Sequence, residues 1–228
     1  MNTTNKKAYI YKMNLGPANI LCLGILIVLY IFTILVFHID ISFSNNPLVL
    51  FILIVLYLML HEFLHGVGYF IGGVKRRNIQ YGIRLEKGIF YAMAYQELTK
   101  KNILISLQMP FMVIGVITYI IGVIFNIPIL VLLSIINISG ASMDLAMFFY
   151  ICRLKDITYS ESGEPDEFVL ISNEDLTKKK NIFLKIVETK KYKKEDYEFT
   201  IDKKIDITKK SIIIILVFIL LGAICTFI

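Results

Sequence analysis

Cysteine is scarce in this sequence, and its placement argues against two kinds of site. The three cysteines, Cys22, Cys152 and Cys225, lie far apart, in or beside apolar stretches. No pair has the CxxC spacing typical of a thiolate zinc site, and three scattered thiols do not suggest a disulfide framework. Neither a disulfide-stabilised fold nor a cysteine-type zinc site is therefore indicated.

Charge is also lacking over long stretches of the chain. Hydrophobic residues make up 57% of the 228 positions, and the mean hydropathy is +0.70. A soluble domain of this length would hold roughly 45–50% apolar residues. The polar residues are too few to cover a globule, which favours a membrane protein. In a membrane protein the net charge of +6 is interpreted by which loops carry the basic residues, and it does not indicate a nucleic-acid partner.

Five apolar stretches each approach the length of about 17–25 residues that a helix needs to cross hydrocarbon. We place them at residues 18–37, 48–71, 103–125, 129–152 and 211–228. The first is longer than the ~7–15 apolar residues of a signal peptide and has no small-x-small cleavage site after it, so we interpret it as a retained helix. The sequence thus predicts an all-α multi-pass membrane protein with about five transmembrane helices.

Basic residues predict the orientation of these helices. Lysines precede the first stretch, lysines and arginines follow the second, and residues 153–210 are rich in lysine. Residues 38–47 and 126–128, which form the alternate loops, contain neither lysine nor arginine. Because cytoplasmic loops carry the excess of basic residues, we expect a cell-membrane protein with its N-terminus in the cytoplasm.

These patterns predict three parts. Residues 1–153 form a membrane-embedded core, residues 154–210 a cytoplasmic segment, and residues 211–228 a C-terminal transmembrane helix. The cytoplasmic segment is a small α+β unit or partly disordered, with strand-like runs at 167–172 and 199–207. The polar loop at 78–96 alternates apolar and other residues around a glycine, which predicts a small cytoplasmic β-hairpin.

A histidine pair lies inside the second apolar stretch, in the sequence His61-Glu62-Phe63-Leu64-His65. Ionisable residues in hydrocarbon cost a few kcal/mol or more each, so they usually serve a function. Residues four apart share one face of a helix, and both imidazoles can therefore bind one metal ion. Glu62 is then placed to act as general base on a metal-activated water.

Asp144 is the best candidate for a third ligand. It and Glu62 are the only acidic residues within the five apolar stretches. Asp144 and His65 each lie about 15 residues into stretches of the same predicted direction, which places both ~22 Å below the outer edge. The remaining histidine, His38, lies at the outer end of the first stretch. A catalytic zinc site commonly has three protein ligands, here His61, His65 and Asp144.

These residues resemble two related families. HEFLHG within an apolar helix, with an aspartate in a later helix of the same direction, resembles the site-2 protease class of intramembrane metalloproteases. The chain is more similar to the DUF3267 family, described as putative zincin peptidases, in its HExxHG motif, the Tyr81-Gly82 pair, Pro110 in the third stretch and the late Asp144. The likeness covers roughly residues 48–155. It implies Zn²⁺, with Glu62 as general acid and base.

One departure from the site-2 pattern concerns the third ligand. The aspartate of that class is commonly followed by glycine, whereas Asp144 is followed by Leu145. Asn137 lies seven residues before Asp144, about two helical turns, and so shares its face. We consider it a possible oxyanion or substrate-binding residue. A role in packing between helices remains the alternative.

The predicted function is that of a zinc-dependent intramembrane or juxtamembrane endopeptidase. Its partners would be the lipid bilayer and a membrane-protein or peptide substrate. A substrate helix must become extended before cleavage, and a strand of the 78–96 loop could hold it by β-addition. The alternative is a non-hydrolytic membrane metal-binding or transport protein. An immunity-type protein with a degenerate site is a third reading. Glu62 distinguishes them, because a site that only binds metal does not require it.

Overall fold

The computed structural model describes residues 6–39, 47–84, 89–162, 164 and 166–193. Within these ranges, three helices are long and apolar enough to cross a membrane: α1 (Leu15–Phe37), α2 (Pro47–Ile71) and a helix at Lys100–Ile124. They coincide with the first three predicted stretches. The fifth predicted stretch lies outside the described residues.

Helix α1 exposes apolar side chains over most of its surface, and one face, which includes Leu26 and Leu29, packs against other helices. Ile20, Val28 and Leu35 are 75%, 65% and 67% exposed, and only Ala18 and Thr33 are buried. An apolar helix with so much of its surface left uncovered by protein is typical of a membrane span. The exposed surface of α1 therefore supports membrane association.

The third long helix changes its winding in the middle. It consists of α3 (Lys100–Pro110), a π-helical stretch (Phe111–Ile117) and α4 (Thr118–Ile124). Proline has no backbone N–H and clashes with the preceding turn, so Pro110 disturbs the regular i→i−4 ladder at this point. Backbone carbonyls near Pro110 are consequently available for contacts outside the helix.

The fourth predicted stretch is a pair of helices rather than one straight span. Helix α5 (Pro128–Gly140) and helix α6 (Ser142–Cys152) meet at Ala141 with a bend of 47°. Glycine and serine flank the break, and such residues commonly permit sharp kinks. The Oγ of Ser142 donates to the carbonyl of Ala18 at 3.4 Å, so the start of α6 lies beside the first turn of α1.

A five-stranded antiparallel sheet accompanies the helices, so the prediction of an all-α fold is wrong. Its strands are β1 (Lys7–Met13), β4 (Leu98–Thr99), β5 (Thr158–Glu161), β6 (Glu167–Ser172) and β7 (Leu184–Lys191), and two further strands form a separate sheet described below. The strand order of the larger sheet is β4-β5-β6-β1-β7.

Strand β1 explains why sequence patterns underestimated the sheet. It precedes α1, yet it lies between β6 and β7, with Tyr9 opposite Leu170 and Thr189. These partners are more than 150 positions away along the chain, and no local pattern indicates such pairing. The predicted strand at 167–172 is confirmed as β6, whereas the one predicted at 199–207 lies outside the described residues.

The predicted hairpin is present as a separate two-stranded sheet. Strands β2 (Ile79–Arg84) and β3 (Ile89–Ala94) pair with Tyr81 opposite Ala92. Gly66 of α2 accommodates this hairpin, because a Cβ there would lie 1.9 Å from the Tyr81 hydroxyl. The hairpin is therefore held directly against the helix that carries the histidine pair.

One hydrophobic core joins the five-stranded sheet to the ends of three helices. Tyr11 and Phe168 of the sheet pack with Tyr69 of α2, Ile103 of α3 and Ile151 of α6. The histidine pair is only one to two helical turns from this core, because Tyr69 follows His65 by four residues. The sheet thus covers one end of the helix bundle next to the candidate site.

Candidate metal centre

Helix α2 brings its two histidines together as the sequence spacing predicts. The Nε2 atoms of His61 and His65 are 3.2 Å apart, and the two residues are 9% and 8% exposed. Residues at i and i+4 lie one above the other on a helix, so the backbone places both histidines on the same face of α2. Both imidazoles point into the protein rather than toward lipid.

Asp144 completes the cluster from the first turn of α6. Its Oδ2 lies 3.1 Å from His61 Nε2 and 3.5 Å from His65 Nε2. Because the chain bends between α5 and α6, the first turn of α6 does not continue the axis of α5. The contact between Ser142 and Ala18 holds the start of α6 beside α1. The structure therefore brings together the three predicted ligands from two helices.

The donor set fits a zinc ion. Ligand bonds of about 2.0–2.1 Å in tetrahedral geometry separate the ligand atoms by roughly 3.3 Å. The three separations, 3.1, 3.2 and 3.5 Å, have this size. Two imidazoles and one carboxylate are also a common protein set for catalytic zinc. Residues His61, His65 and Asp144 can hold one ion with all three ligand atoms within 4.8 Å of one another.

Contacts behind the histidines determine which nitrogens face the centre. His61 Nδ1–H donates to Asn137 Oδ1 at 2.8 Å, and His65 Nδ1–H donates to the Ser106 carbonyl at 3.0 Å. With Nδ1 protonated, each neutral ring presents the lone pair of Nε2 to the centre. Two lone pairs and a carboxylate then converge, and a cation between them removes their mutual repulsion.

Pro110 accounts for the acceptor used by His65. In a regular α-helix the Ser106 carbonyl would accept the N–H of residue 110, and proline has none. The carbonyl is therefore available to His65, while the Ser106 hydroxyl donates to the His65 carbonyl at 2.9 Å. Gly68 makes this contact possible, since a Cβ there would lie 2.5 Å from Ser106 Cα.

Asn137 lies behind His61 in the structure. Its Oδ1 accepts from His61, and its Nδ2 donates to the Pro110 carbonyl at 3.1 Å. Asn137 thus links the His61 ring to a backbone carbonyl of α3, and a contact of this kind orients a metal-ligating imidazole. The suggested oxyanion or substrate-binding role of Asn137 stays a prediction.

Glu62 is half-buried at the edge of the hairpin. The backbone N–H of Ala92 in β3 donates to its carboxylate. Glu62 thus lies between the histidine pair that flanks it in sequence and a strand of the hairpin. Its role as general base stays a prediction, and its place beside the cluster is the one that this role requires.

Sequence reasoning missed Glu161, a buried carboxylate close to the centre. Tyr69 and Tyr159 donate their hydroxyls to its two oxygens at 3.2 and 3.0 Å, and the Ala94 N–H donates as well. Burial raises the pKa of Glu161 to about 7. Glu161 ends a short strand and has no motif around it, so no local signal indicates it.

Ser106 was missed too, although a signal for it exists. When proline is residue i+4 of a helix, the carbonyl of residue i lacks the backbone N–H that would normally donate to it. Pro110 is part of the family resemblance, but the contact of the Ser106 carbonyl with His65 also requires that α3 packs against α2. A sequence pattern alone does not establish that packing.

The fold and the cluster define a membrane-associated protein with a site for a metal ion, formed by two histidines and an aspartate. Residues 53–159, just under half of the chain, match the model of the DUF3267 family, described as putative zincin peptidase. This match supports a metallopeptidase with zinc as its metal. No curated protein and no solved structure matches the chain significantly.

Proposed function

We propose that the protein is a zinc-dependent endopeptidase that cleaves a peptide bond of a membrane-protein substrate within or beside the bilayer. The observation that carries this proposal is the convergence of His61, His65 and Asp144 at 3.1–3.5 Å next to Glu62. A site that only stores or transports metal has no need for a carboxylate beside the first ligand.

The reaction assigns distinct tasks to the side chains. A zinc ion held by His61, His65 and Asp144 would lower the pKa of water and polarise a carbonyl group. Glu62 takes the proton of the attacking water and delivers it to the leaving amine. Asn137 and the Ser106 carbonyl hold the imidazoles in the tautomer that faces the centre. Asp144 neutralises part of the positive charge and completes the donor set.

Water must reach a site that is enclosed by membrane helices. The Asp144 turn begins beside Ala18 in the first turn of α1, and the five-stranded sheet packs just beyond it. The centre is thus near the end of the bundle that the basic residues predict to be cytoplasmic. This position supports a juxtamembrane route for water.

Strand β3 offers a place to hold an extended substrate. Alternate residues of an antiparallel strand turn their backbone groups away from the partner strand. Ala92 and Ala94 donate to Glu62 and Glu161, so their N–H groups face away from β2 and toward the centre. Phe90 is two residues before Ala92, so its backbone N–H also faces away from β2. A substrate segment that pairs with β3 at Phe90 would lie beside Glu62.

Replacing Glu62 by glutamine tests the proposal. The purified variant should bind zinc as the wild type does, and it should lose cleavage of a single-span substrate by at least 100-fold. His38→Asn is the matched control, since His38 lies at the end of α1 in a left-handed backbone conformation that asparagine tolerates. This control should keep both zinc and activity. Full cleavage by Glu62→Gln would refute the endopeptidase assignment.

A further inference from the structure

A groove opens between α1, α6 and the segment that precedes β7. Its volume is about 470 Å³. Leu21 and Ile25 form the wall on α1, and Leu145 and Phe149 form the wall on α6. Phe149 is 58% exposed, although it is a large aromatic residue. The inner part of the groove is therefore apolar and open to the surroundings of the helices.

Two cations lie at one end of this groove. Arg153 directly follows α6, and Lys180 belongs to the segment before β7; both line the groove. Both residues are exposed, and neither forms an ion pair with a carboxylate among the residues that the structure describes. Two uncompensated positive charges beside an apolar surface favour a ligand with an anionic head and an apolar tail.

The segment that carries Lys180 is tied to the beginning of α1. The Asn14 side-chain amide donates to the Ile182 carbonyl at 3.0 Å, and the Asn14 N–H donates to the Phe183 carbonyl at 2.8 Å. Ile182 is 69% exposed next to this attachment. An exposed isoleucine between lysines, at the point where a membrane helix begins, is suited to the boundary between lipid headgroups and acyl chains.

We propose that this groove binds an anionic phospholipid. Arg153 and Lys180 contact the phosphate, and an acyl chain lies against Leu21, Ile25 and Phe149. Ile25 is ten residues beyond Leu15, or about 15 Å along α1. That distance is half of the ~30 Å hydrocarbon thickness, so the apolar wall matches one leaflet. Basic pockets between membrane helices on the cytoplasmic side bind anionic headgroups in this manner.

The chemistry of the groove selects among possible occupants. A zwitterionic lipid carries a cation that the two basic side chains would repel, and a soluble phosphate would make no use of the apolar walls. A bound lipid would connect α1 with α6, the helix whose first turn supplies Asp144. The inference is independent of peptidase activity, because it concerns only binding and helix packing.

The test compares lipids on the detergent-purified full-length chain. Native mass spectrometry and thermal unfolding are measured with phosphatidylglycerol, with phosphatidylcholine and with inorganic phosphate. The wild type should retain phosphatidylglycerol and gain thermal stability from it alone. Arg153→Gln combined with Lys180→Gln should weaken its binding by about 30-fold, since each basic residue near a membrane contributes about fivefold.

A charge-matched control separates a specific groove from general attraction. Lys75→Gln combined with Lys101→Gln removes the same two charges from exposed positions outside the groove, and it should keep wild-type binding. Equal weakening in both double variants would overturn the proposal, as would an unchanged preference in the groove variant. An equal stabilisation by inorganic phosphate would also overturn it, because the apolar walls would then have no role.

Discussion

Each imidazole of the metal centre is oriented by a group outside the HExxH motif. His61 depends on Asn137 from α5, and His65 depends on a carbonyl that Pro110 leaves available in α3. Ligands that lack such partners sample other rotamers and tautomers, so partners of this kind commonly contribute 10–100-fold to metal affinity. The motif thus supplies two ligands, and neighbouring helices supply their orientation.

Asn137→Leu should lower zinc affinity by about 10–100-fold while leaving the three ligands in place. Leucine has a similar size but cannot accept from His61 Nδ1–H. The measurement is competition with a chelator of known zinc affinity. Ser139→Ala is the control on the same helix, because the Ser139 hydroxyl donates only to carbonyls of its own helix. Identical affinities for Asn137→Leu and the wild type would contradict the orienting role.

Glu161 should make stability depend on pH. Its pKa is raised from 4.5 to about 7 in the folded protein. Between these values the folded state binds more protons than the unfolded state, so the free energy of unfolding falls as pH rises and levels off above pH 7. The decrease is on the order of 3 kcal/mol. Glutamine resembles the neutral acid and lacks this decrease.

Thermal unfolding of wild type and Glu161→Gln from pH 5 to pH 8 measures this effect. The two proteins should be similar at pH 5, and the variant should be the more stable one at pH 8. Because the two proteins share all their other titratable groups, the contribution of those groups to the pH dependence of stability cancels in the comparison. A stability difference that does not change with pH would show that Glu161 keeps the same charge over this range.

At the scale of elements, the approach of α2 to α3 depends on a glycine. Gly68→Ala would place a Cβ 2.5 Å from Ser106 Cα, which is backbone and cannot move without displacing α3. We expect a loss of about 1–3 kcal/mol of stability and weaker zinc binding, because the His65–Ser106 contact would lengthen. Gly24→Ala in α1 is the control, since no atom lies within 4 Å of its added Cβ. Unaltered zinc affinity in Gly68→Ala would contradict this view.

Local patterns predicted some elements of this chain and not others. The histidine spacing, the first three apolar stretches and the hairpin around Tyr81 depend on residues close in sequence, and the structure contains them. The fourth stretch is a bent pair of helices, and the fifth lies outside the described residues. The bend at Ala141 and the pairing of β1 depend on contacts between distant parts of the chain. The depth of Asp144 along the fourth apolar stretch indicates its role, whereas Glu161 is the last residue of a short strand that has no periodic signal.

At the scale of the whole molecule, the sheet and the helix bundle share one core. Tyr11 in β1 is 1% exposed, stacks on Phe168 at 5.3 Å and shares a hydrogen bond with the Tyr150 hydroxyl of α6 at 2.7 Å. The strand before α1 thus contacts the helix that carries Asp144. We expect that disruption of the sheet is transmitted to the metal centre through α6.

Tyr11→Ala should therefore destabilise the protein by about 3–5 kcal/mol and also weaken zinc binding. Lys12→Ala on the same strand is the control, because the Lys12 side chain is 50% exposed and forms only surface ion pairs. Chemical unfolding and chelator competition measure the two quantities. A destabilised Tyr11→Ala protein with wild-type zinc affinity would show that sheet and centre are independent.

The most direct test of the central claim is zinc content and X-ray absorption of the purified protein and its Asp144→Ala variant. The account predicts one zinc per chain with nitrogen and oxygen ligands at about 2.0–2.2 Å. The variant should lose the oxygen ligand and most of its zinc. A wild type without bound zinc, or an Asp144→Ala protein with the same zinc content and spectrum, would contradict it.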